Sequence, residues 1–381
     1  MNHNFANNIP TKSEIKKFKK NKLKQILKKN NLNESGNCNV LRDRIIYFYH
    51  VQSRCSKFSN VFPTSIDNQS IPDDLIFDII SYFPEPMTNK IFRRSIQTYL
   101  MTTTYKFSSI NLARKQKIIE KYGKINTWDV SNVTDMSKLF DGAYDFNENI
   151  SDWDVSNVTD MTSMFRGATT FNQPLNNWNV SNVTIMDNMF YGALSFNQSL
   201  NNWNVSNVTS MNSMFCRAIS FNKPIINWNV SNVTSIRCMF MYAESFNQPL
   251  NDWNVSNVTH ILHLFDLATS FNQPLDNWDV SNVNSMFALF YKAKSFNQPL
   301  NNWNVSNVQN MRRMFHKATS FNQPLDNWDV SNVNDMQWMF EKANKFNQYL
   351  DNWKLGNRTP VLMPVGIELL EQISGCKVTK L

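Results

Sequence analysis

Residues 178–202 read WNVSNVTIMDNMFYGALSFNQSLNN, and the same pattern recurs with small changes from Trp128 to Asn352. Ten of the eleven Trp stand at 128, 153, 178, 203, 228, 253, 278, 303, 328 and 353, a spacing of 25 with no insertion. The shared unit is Trp-(Asp or Asn)-Val-Ser-Asn-Val-x-x-Met-x-x-Met-Phe-x-x-Ala-x-x-Phe-Asn-Gln-Pro-Leu followed by two Asp or Asn residues. A period of this length marks stacked supersecondary units, each unable to bury its apolar face alone.

Within the unit the apolar spacing changes. Leu175, Trp178 and Val180 fit a short extended segment, with Trp178 and Val180 turned inward by alternation. Val183, Met186, Met189, Phe190 and Ala193 then step by three and four, the stripe of a short helix. The Ser or Asn before Val183 can cap that helix, and the Pro of the Phe-Asn-Gln-Pro-Leu stretch ends it. The expected fold class is α/β, a right-handed solenoid of nine 25-residue coils with a short parallel strand plus a helix in each, preceded by small α-helical modules. With Phe196, nine side chains per coil point inward. Burying each large one contributes roughly 1.5–3 kcal/mol, most of the total being offset by ordering entropy. The Trp column is read as core.

Comparison of the nine coils separates uniform positions from variable ones. Every Trp is followed by Asp or Asn, from Asp129 and Asp154 to Asp329, a ladder read as a hydrogen-bonded structural column rather than a metal site. The thirteenth residue after each Trp instead runs Asp141, Arg166, Tyr191, Cys216, Met241, Asp266, Tyr291, His316 and Glu341. Exposed apolar side chains in such a region mark interaction surfaces. Partner choice is therefore assigned to an outer helical face carrying Tyr191, Arg237, Leu262, Phe287, Tyr291, Arg312, Arg313 and Trp338, against the alternative that exposed positions drift freely.

The block 128–352 resembles the bacterial-surface-protein type of leucine-rich repeat. The resemblance implies an α/β solenoid used for protein contacts, with adhesion in secreted members. After Trp353 the pattern fails at Lys354-Leu355-Gly356, and 354–381 is read as a cap over the open end.

The region before the repeats differs in charge. Of the net +8, residues 1–120 hold 20 basic and 9 acidic side chains, and 121–381 hold 18 and 21. Residues 12–29 contain nine Lys and one Glu with Ile15, Phe18, Leu23, Ile26 and Leu27 interleaved, and a second apolar stripe follows the break at Ser35-Gly36. Two short helices across that turn are expected over 1–55. The elements Leu23 to Leu27, Leu32 to Gly36 and Leu41 to Ile45 resemble the SAP motif, a small nucleic-acid-binding module, with Asn37 and Cys38 replacing the usual basic residue after Gly. Its phosphate contacts would be Lys16, Lys17, Lys19, Lys20, Lys22, Lys24, Lys28, Lys29, Arg42 and Arg44, binding DNA or RNA with strong salt dependence. A solvated Lys-rich helix is the alternative.

Residues 56–69 read as a linker. From Ile71 to Phe83, Pro and acidic residues in the first turn precede an amphipathic stripe at Leu75, Ile76, Ile79, Ile80 and Phe83. This resembles the opening of the F-box, which extends the expected module over 70–124, although its usual Val-Cys-Lys-x-Trp segment is not evident. The resemblance implies that Pro72, Leu75, Ile76 and Ile79 touch the adaptor of a ubiquitin ligase; ordinary helix core is the alternative.

Chemistry-bearing motifs are scarce. No phosphate-binding or dinucleotide-binding Gly pattern and no Gly-x-Ser-x-Gly occurs, and the chain has only eight Gly. His260 and His263 fit one helix face without a carboxylate or thiol to complete a metal site. Cys38, Cys55, Cys216, Cys238 and Cys376 lack disulfide or zinc spacing. The start is too polar for a secretory leader, and no run of about 18 apolar residues exists to span a membrane. The expectation is a non-enzymatic, cofactor-free, monomeric intracellular protein of cytoplasm or nucleus. Three functions stay open: an F-box-type substrate adaptor with a nucleic-acid-binding head, a repeat scaffold with degenerate head modules, and a surface adhesin.

Overall fold

The computed structural model describes residues 87–104 and 109–354. Helix α1 (Asn89–Thr104) and helix α2 (Ser109–Tyr122) lead through a 3-10 turn at Ile125–Thr127 into the solenoid. The expectations placed on 1–86 and the cap expected over 355–381 lie outside the described residues.

The repeats form a solenoid of nine coils, and the nine inward side chains named from the sequence are buried in it, from Leu175 at 0 % exposure to Trp178 at 3 %. Three aromatic columns run through the core. Counting each Trp as position 0, the Phe at position 12 stack on their counterparts at 5.4–5.9 Å between ring centroids. Those at position 18 stack at 5.7–6.1 Å. In the third column each indole N–H donates to the carbonyl three residues before the preceding Trp, as Trp203 Nε1 does to Leu175 at 2.9 Å. A buried indole donor is thus satisfied by the preceding turn of the stack, as burial requires.

The route between these side chains is not strand plus helix. No helix occurs in any described coil; positions 8 to 18 are consecutive tight turns, with Met189, Tyr191, Ala193 and Phe196 donating to Met186, Asn188, Phe190 and Ala193. Alternate N–H groups along positions 8 to 14 point sideways. Those of Met186, Asn188, Phe190 and Gly192 donate to the carbonyls of Ser210, Asn212, Met214 and Cys216 in the next coil at 2.8–3.0 Å. The parallel strand shrinks to a single bridge at position 7, such as Ile185 to Ser210, away from the Trp-Val segment where it was expected. Three-residue turns advance the inward side chain by three or four, as a helix does. The stripe therefore reads as helical although the backbone bonds run between coils.

The turns need left-handed residues at positions 10 and 14. Position 10 is never Gly, yet φ is 54–58° from Lys138 to Trp338. Position 14 has Gly142, Gly167 and Gly192 at 66–69°, then Arg217, Tyr242, Leu267, Lys292, Lys317 and Lys342 at 54–60°. Each side chain held there costs roughly 1–2 kcal/mol of backbone strain relative to the right-handed region.

Polar ladders hold the edges. Asn at position 4 donates from Nδ2 to a carbonyl of the preceding coil at 2.6–2.8 Å, as Asn182 does to Ser156. Asn at position 19 accepts through Oδ1 from the N–H of the same Asn one coil on, as Asn172 does from Asn197, at 2.8–3.0 Å from Asn147 to Asn347. The Asp/Asn ladder after Trp is a different device. Asn179 Oδ1 accepts from Ser181 N within its own turn, and so do Asp154 and Asp329 from their Ser partners. The column expected there is a set of exposed local Asx turns, because a side chain this short reaches its own backbone two residues on more easily than the next coil.

Helix α1 covers the first coil. Phe92 meets Trp128 and Trp153 edge-on at 6.3 and 5.3 Å, and Tyr99 meets Trp128 at 5.8 Å. Trp128 has no earlier coil and donates instead to the carbonyl of Gly123 at 3.0 Å. Asn89 accepts from Thr134 N, and Arg93 donates to Ser137 O, so side chains of α1 stand in for the missing coil along the open edge. Helices α1 and α2, read from sequence as part of the F-box-like module, here share one core with the solenoid through Phe92, Ile96, Tyr99, Ile118, Ile119 and Tyr122.

Candidate interaction surface

Positions 7 to 14 of every coil form one strip, joined coil to coil by the sideways hydrogen bonds. Along it the inward residues are Met, Phe, Leu, Ile or Ala, and the side chains at 9, 10, 13 and 14 are half-buried or exposed except Ser163, Cys216, Asp266, Ala288 and His316, which are buried. All eight residues assigned to a partner face fall on this strip: Arg237, Leu262, Phe287 and Arg312 at position 9, Arg313 and Trp338 at 10, Tyr191 and Tyr291 at 13. Arg237 is exposed and the other seven are half-buried. They occupy a ladder strip rather than an outer helical face, because the coil has no helix.

Neighbours on the strip contact each other across coils. Phe287 meets the His263 ring edge-on at 4.9 Å, and Tyr291 stacks on His316 at 5.0 Å. The guanidinium groups of Arg312 and Arg313 lie 4.5 and 4.7 Å from the centre of the Trp338 ring, within cation-π range. The Nε atoms of both arginines are buried without an acceptor.

Two ionisable pairs sit partly inside. His263 Nδ1 is 2.8 Å from Asp266 Oδ2, while Asp266 Oδ1 has no partner. Burial raises the Asp266 carboxyl above its ordinary value, only partly countered by the hydrogen bond from His263. Glu341 lies 3.2 Å from His316 Nδ1 but off the hydrogen-bond direction, and burial holds the His316 ring below the usual imidazole range. Burial also pushes the Cys216 thiol up to about 12 and raises that of Cys238. These thiols stay protonated near neutrality. His260 instead meets Thr259 Oγ1 at 2.7 Å. Among the described residues no three His, Cys, Asp or Glu side chains form a metal-ligand group.

A concavity of about 680 Å³ lies between α1 and α2, with Ile91, Ile118 and Tyr122 among Arg94, Arg114, Lys117 and Lys121. The nucleic-acid and adaptor contacts expected at Lys16 to Arg44 and at Pro72, Leu75, Ile76 and Ile79 lie outside the described residues.

Three overlapping stretches, 108–216, 199–294 and 261–362, match the family described as "Mycoplasma protein of unknown function, DUF285". The chain belongs to this family. The overlaps between the matched DUF285 stretches follow from the repeat itself, since each stretch spans several coils and any coil can serve as a start. No curated protein and no solved structure matches the chain. No helix among the described residues is long and apolar enough to cross a membrane.

Two features of the DUF285 solenoid had no clear signal in the sequence. The left-handed positions are mostly not Gly, so the usual marker of positive φ is missing. The role of α1 as an end cover depends on Phe92 meeting Trp residues 36 and 61 positions further on. The only hint was the run of Phe92, Ile96 and Tyr99 at helical spacing.

Proposed function

We propose that this DUF285 protein is a non-enzymatic interaction solenoid that binds a protein partner along its ladder strip. One observation carries the reading: within a coil, the side chains at positions 0, 4, 12, 18 and 19 are committed to the neighbouring coils, whereas those at 9, 10, 13 and 14 differ from coil to coil. Such a division leaves the strip free to encode a partner, and its half-buried Leu262, Phe287 and Trp338 supply the apolar anchors that interfaces use. Affinity purification of the full chain from its native cell, with mass spectrometry, tests this. Leu262→Ser with Phe287→Ser is expected to lose the captured partner while the circular dichroism spectrum is retained; capture unaffected by the pair refutes the reading.

The finer assignment is an intracellular adaptor, in which Pro72, Leu75, Ile76 and Ile79 dock a ubiquitin-ligase adaptor and the Lys-rich head binds nucleic acid. It is supported by the resemblance of 22–45 to SAP and of 71–83 to the F-box. Leu75→Asp with Ile79→Asp in the full chain is expected to abolish co-purification of the ligase adaptor. Surface labelling of intact cells that marks the chain would favour the adhesin instead.

A further inference from the structure

The strip is not electrically uniform. In the first three coils it carries Asp135, Asp141, Asp160 and Asp187 against Lys138 and Arg166, and Arg166 is already paired with Asp141 at 2.7 Å. In the last three it carries Lys292, Arg312, Arg313, Lys317 and Lys342 against Asp335 and Glu341. Asp335 lies 3.9 Å from Arg312, and Glu341 faces His316. Among the described residues, no carboxylate pairs with Lys292, Lys317 or Lys342 within 4.0 Å.

These three lysines occupy position 14, where the backbone is left-handed. The first three coils use Gly there, although a Cβ built on Gly167 or Gly192 would meet no atom closer than 3.6 or 3.8 Å. Space therefore does not demand Gly; conformation favours it. The last three coils all keep Lys at that strained position, one above another on adjacent coils. Lys342 is exposed and Lys292 and Lys317 are half-buried, and strain retained at such side chains directs attention to what they bind.

We infer that the strip of the last three coils, centred on Lys292, Lys317 and Lys342 with Arg312 and Arg313 packed on Trp338, binds an extended acidic segment of a partner protein. The inference rests on the strip being the partner face and adds the chemistry of the partner. Carboxylates matched to a group of guanidinium and ammonium ions form charge-assisted hydrogen bonds, the mode by which Arg clusters read acidic motifs. The extent of the field favours a peptide over nucleic acid. Along the strip the nearest charged residue before Lys292 is Asp266, and Asp279, Asp326, Asp329 and Asp351 flank the Trp turns of the same coils, so the positive region is confined to the last three coils, two coil spacings or roughly 10 Å. A short run of acidic side chains fits that length; a longer polyphosphate would extend past it to the aspartates.

Trp338 provides a local reporter, because it is half-buried while the ten Trp of the column are 4 % exposed or less. The test uses the full chain, a fluorescein-labelled Glu-rich pentapeptide, its Gln counterpart and a single-stranded oligonucleotide of similar length, read by anisotropy at low salt. The Glu peptide is expected to bind, to protect Trp338 from acrylamide quenching and to dissociate as salt rises, while the Gln peptide does not bind. The triple variant Lys292→Glu, Lys317→Glu, Lys342→Glu should weaken binding at least about tenfold. Arg217→Glu, in the same column three coils away from Lys292, should leave it unchanged. The corresponding triple change to Gln keeps the comparison valid if charge reversal impairs folding. Absence of Glu-peptide binding, equal affinity in both triple variants and wild type, or an oligonucleotide bound as tightly through the same lysines overturns the inference. If Leu262→Ser with Phe287→Ser abolishes partner capture but the Glu peptide fails, only the acidic chemistry is refuted; if capture survives that pair, the partner-face reading itself falls.

Discussion

The inward columns and the ladder strip are made from the same 25 residues, yet the nine coils treat them in opposite ways. Each column position is filled by one residue type or close substitutes, because a Trp, Phe or Asn there must match an identical neighbour above and below. The strip must only supply backbone donors and acceptors to its neighbours, so its outward side chains are released from that requirement. The difference teaches that in a solenoid the uniform residues report stacking, and function is sought where uniformity ends.

The largest expected effect lies in the columns. Trp228→Ala removes a fully packed ring, its stack on Trp203 and Trp253 at 6.3 Å and its bond to Leu200, and should cost about 3–5 kcal/mol in chemical denaturation. A loss below about 1 kcal/mol would erase the distinction between column and strip. Asn222→Ala comes next. It breaks the ladder to Asn247 and removes the acceptor for Gln248 Nε2, so a destabilisation of about 1–3 kcal/mol is expected in the same assay.

The strip should respond in the other direction. Lys317→Gly relieves a left-handed side chain and is expected to stabilise the fold by up to about 1 kcal/mol, after the extra chain entropy of Gly is offset. Stabilisation with loss of partner binding would sharpen the contrast, since it would show a side chain kept against the preference of the backbone. A thermal melt alongside the peptide titration measures both.

The smallest effect is pH-dependent. Burial lowers the His316 pKa in the folded state below 6.5, so the unfolded chain takes up the proton more readily. Stability from this residue is present above pH 6.5 and is lost as pH falls through the folded value. His316→Gln should remove that part of the slope, seen as a smaller drop in denaturation midpoint between pH 7.5 and pH 5 than in wild type. Asp266 has the opposite sign: its raised carboxyl contributes stability below the ordinary carboxylate value, which fades as pH rises through its folded value. Comparing Asp266→Asn with His316→Gln separates the two.

Much of the interior was legible in the chain. Leu175, Trp178, Met186, Phe190 and Phe196 could be placed inward from spacing alone, since 25-residue identity forces the coils to superpose. The eight strip residues could be grouped because they vary where the rest repeats. The helix was not legible correctly. Met186, Met189, Phe190 and Ala193 have helical spacing, and no Gly marks position 10, yet their N–H groups find carbonyls 24 residues later or three residues earlier.

By itself the sequence determined the number of coils, their boundaries and the side chains that face inward, because a strict period admits only one repeated geometry. The tertiary structure alone decided the path between those side chains, the left-handed positions and the cover supplied by α1. The physical reason is where backbone hydrogen bonds close: in a helix the acceptor is four residues away and local pattern predicts it, whereas here half of the strip's donors are satisfied by the next coil.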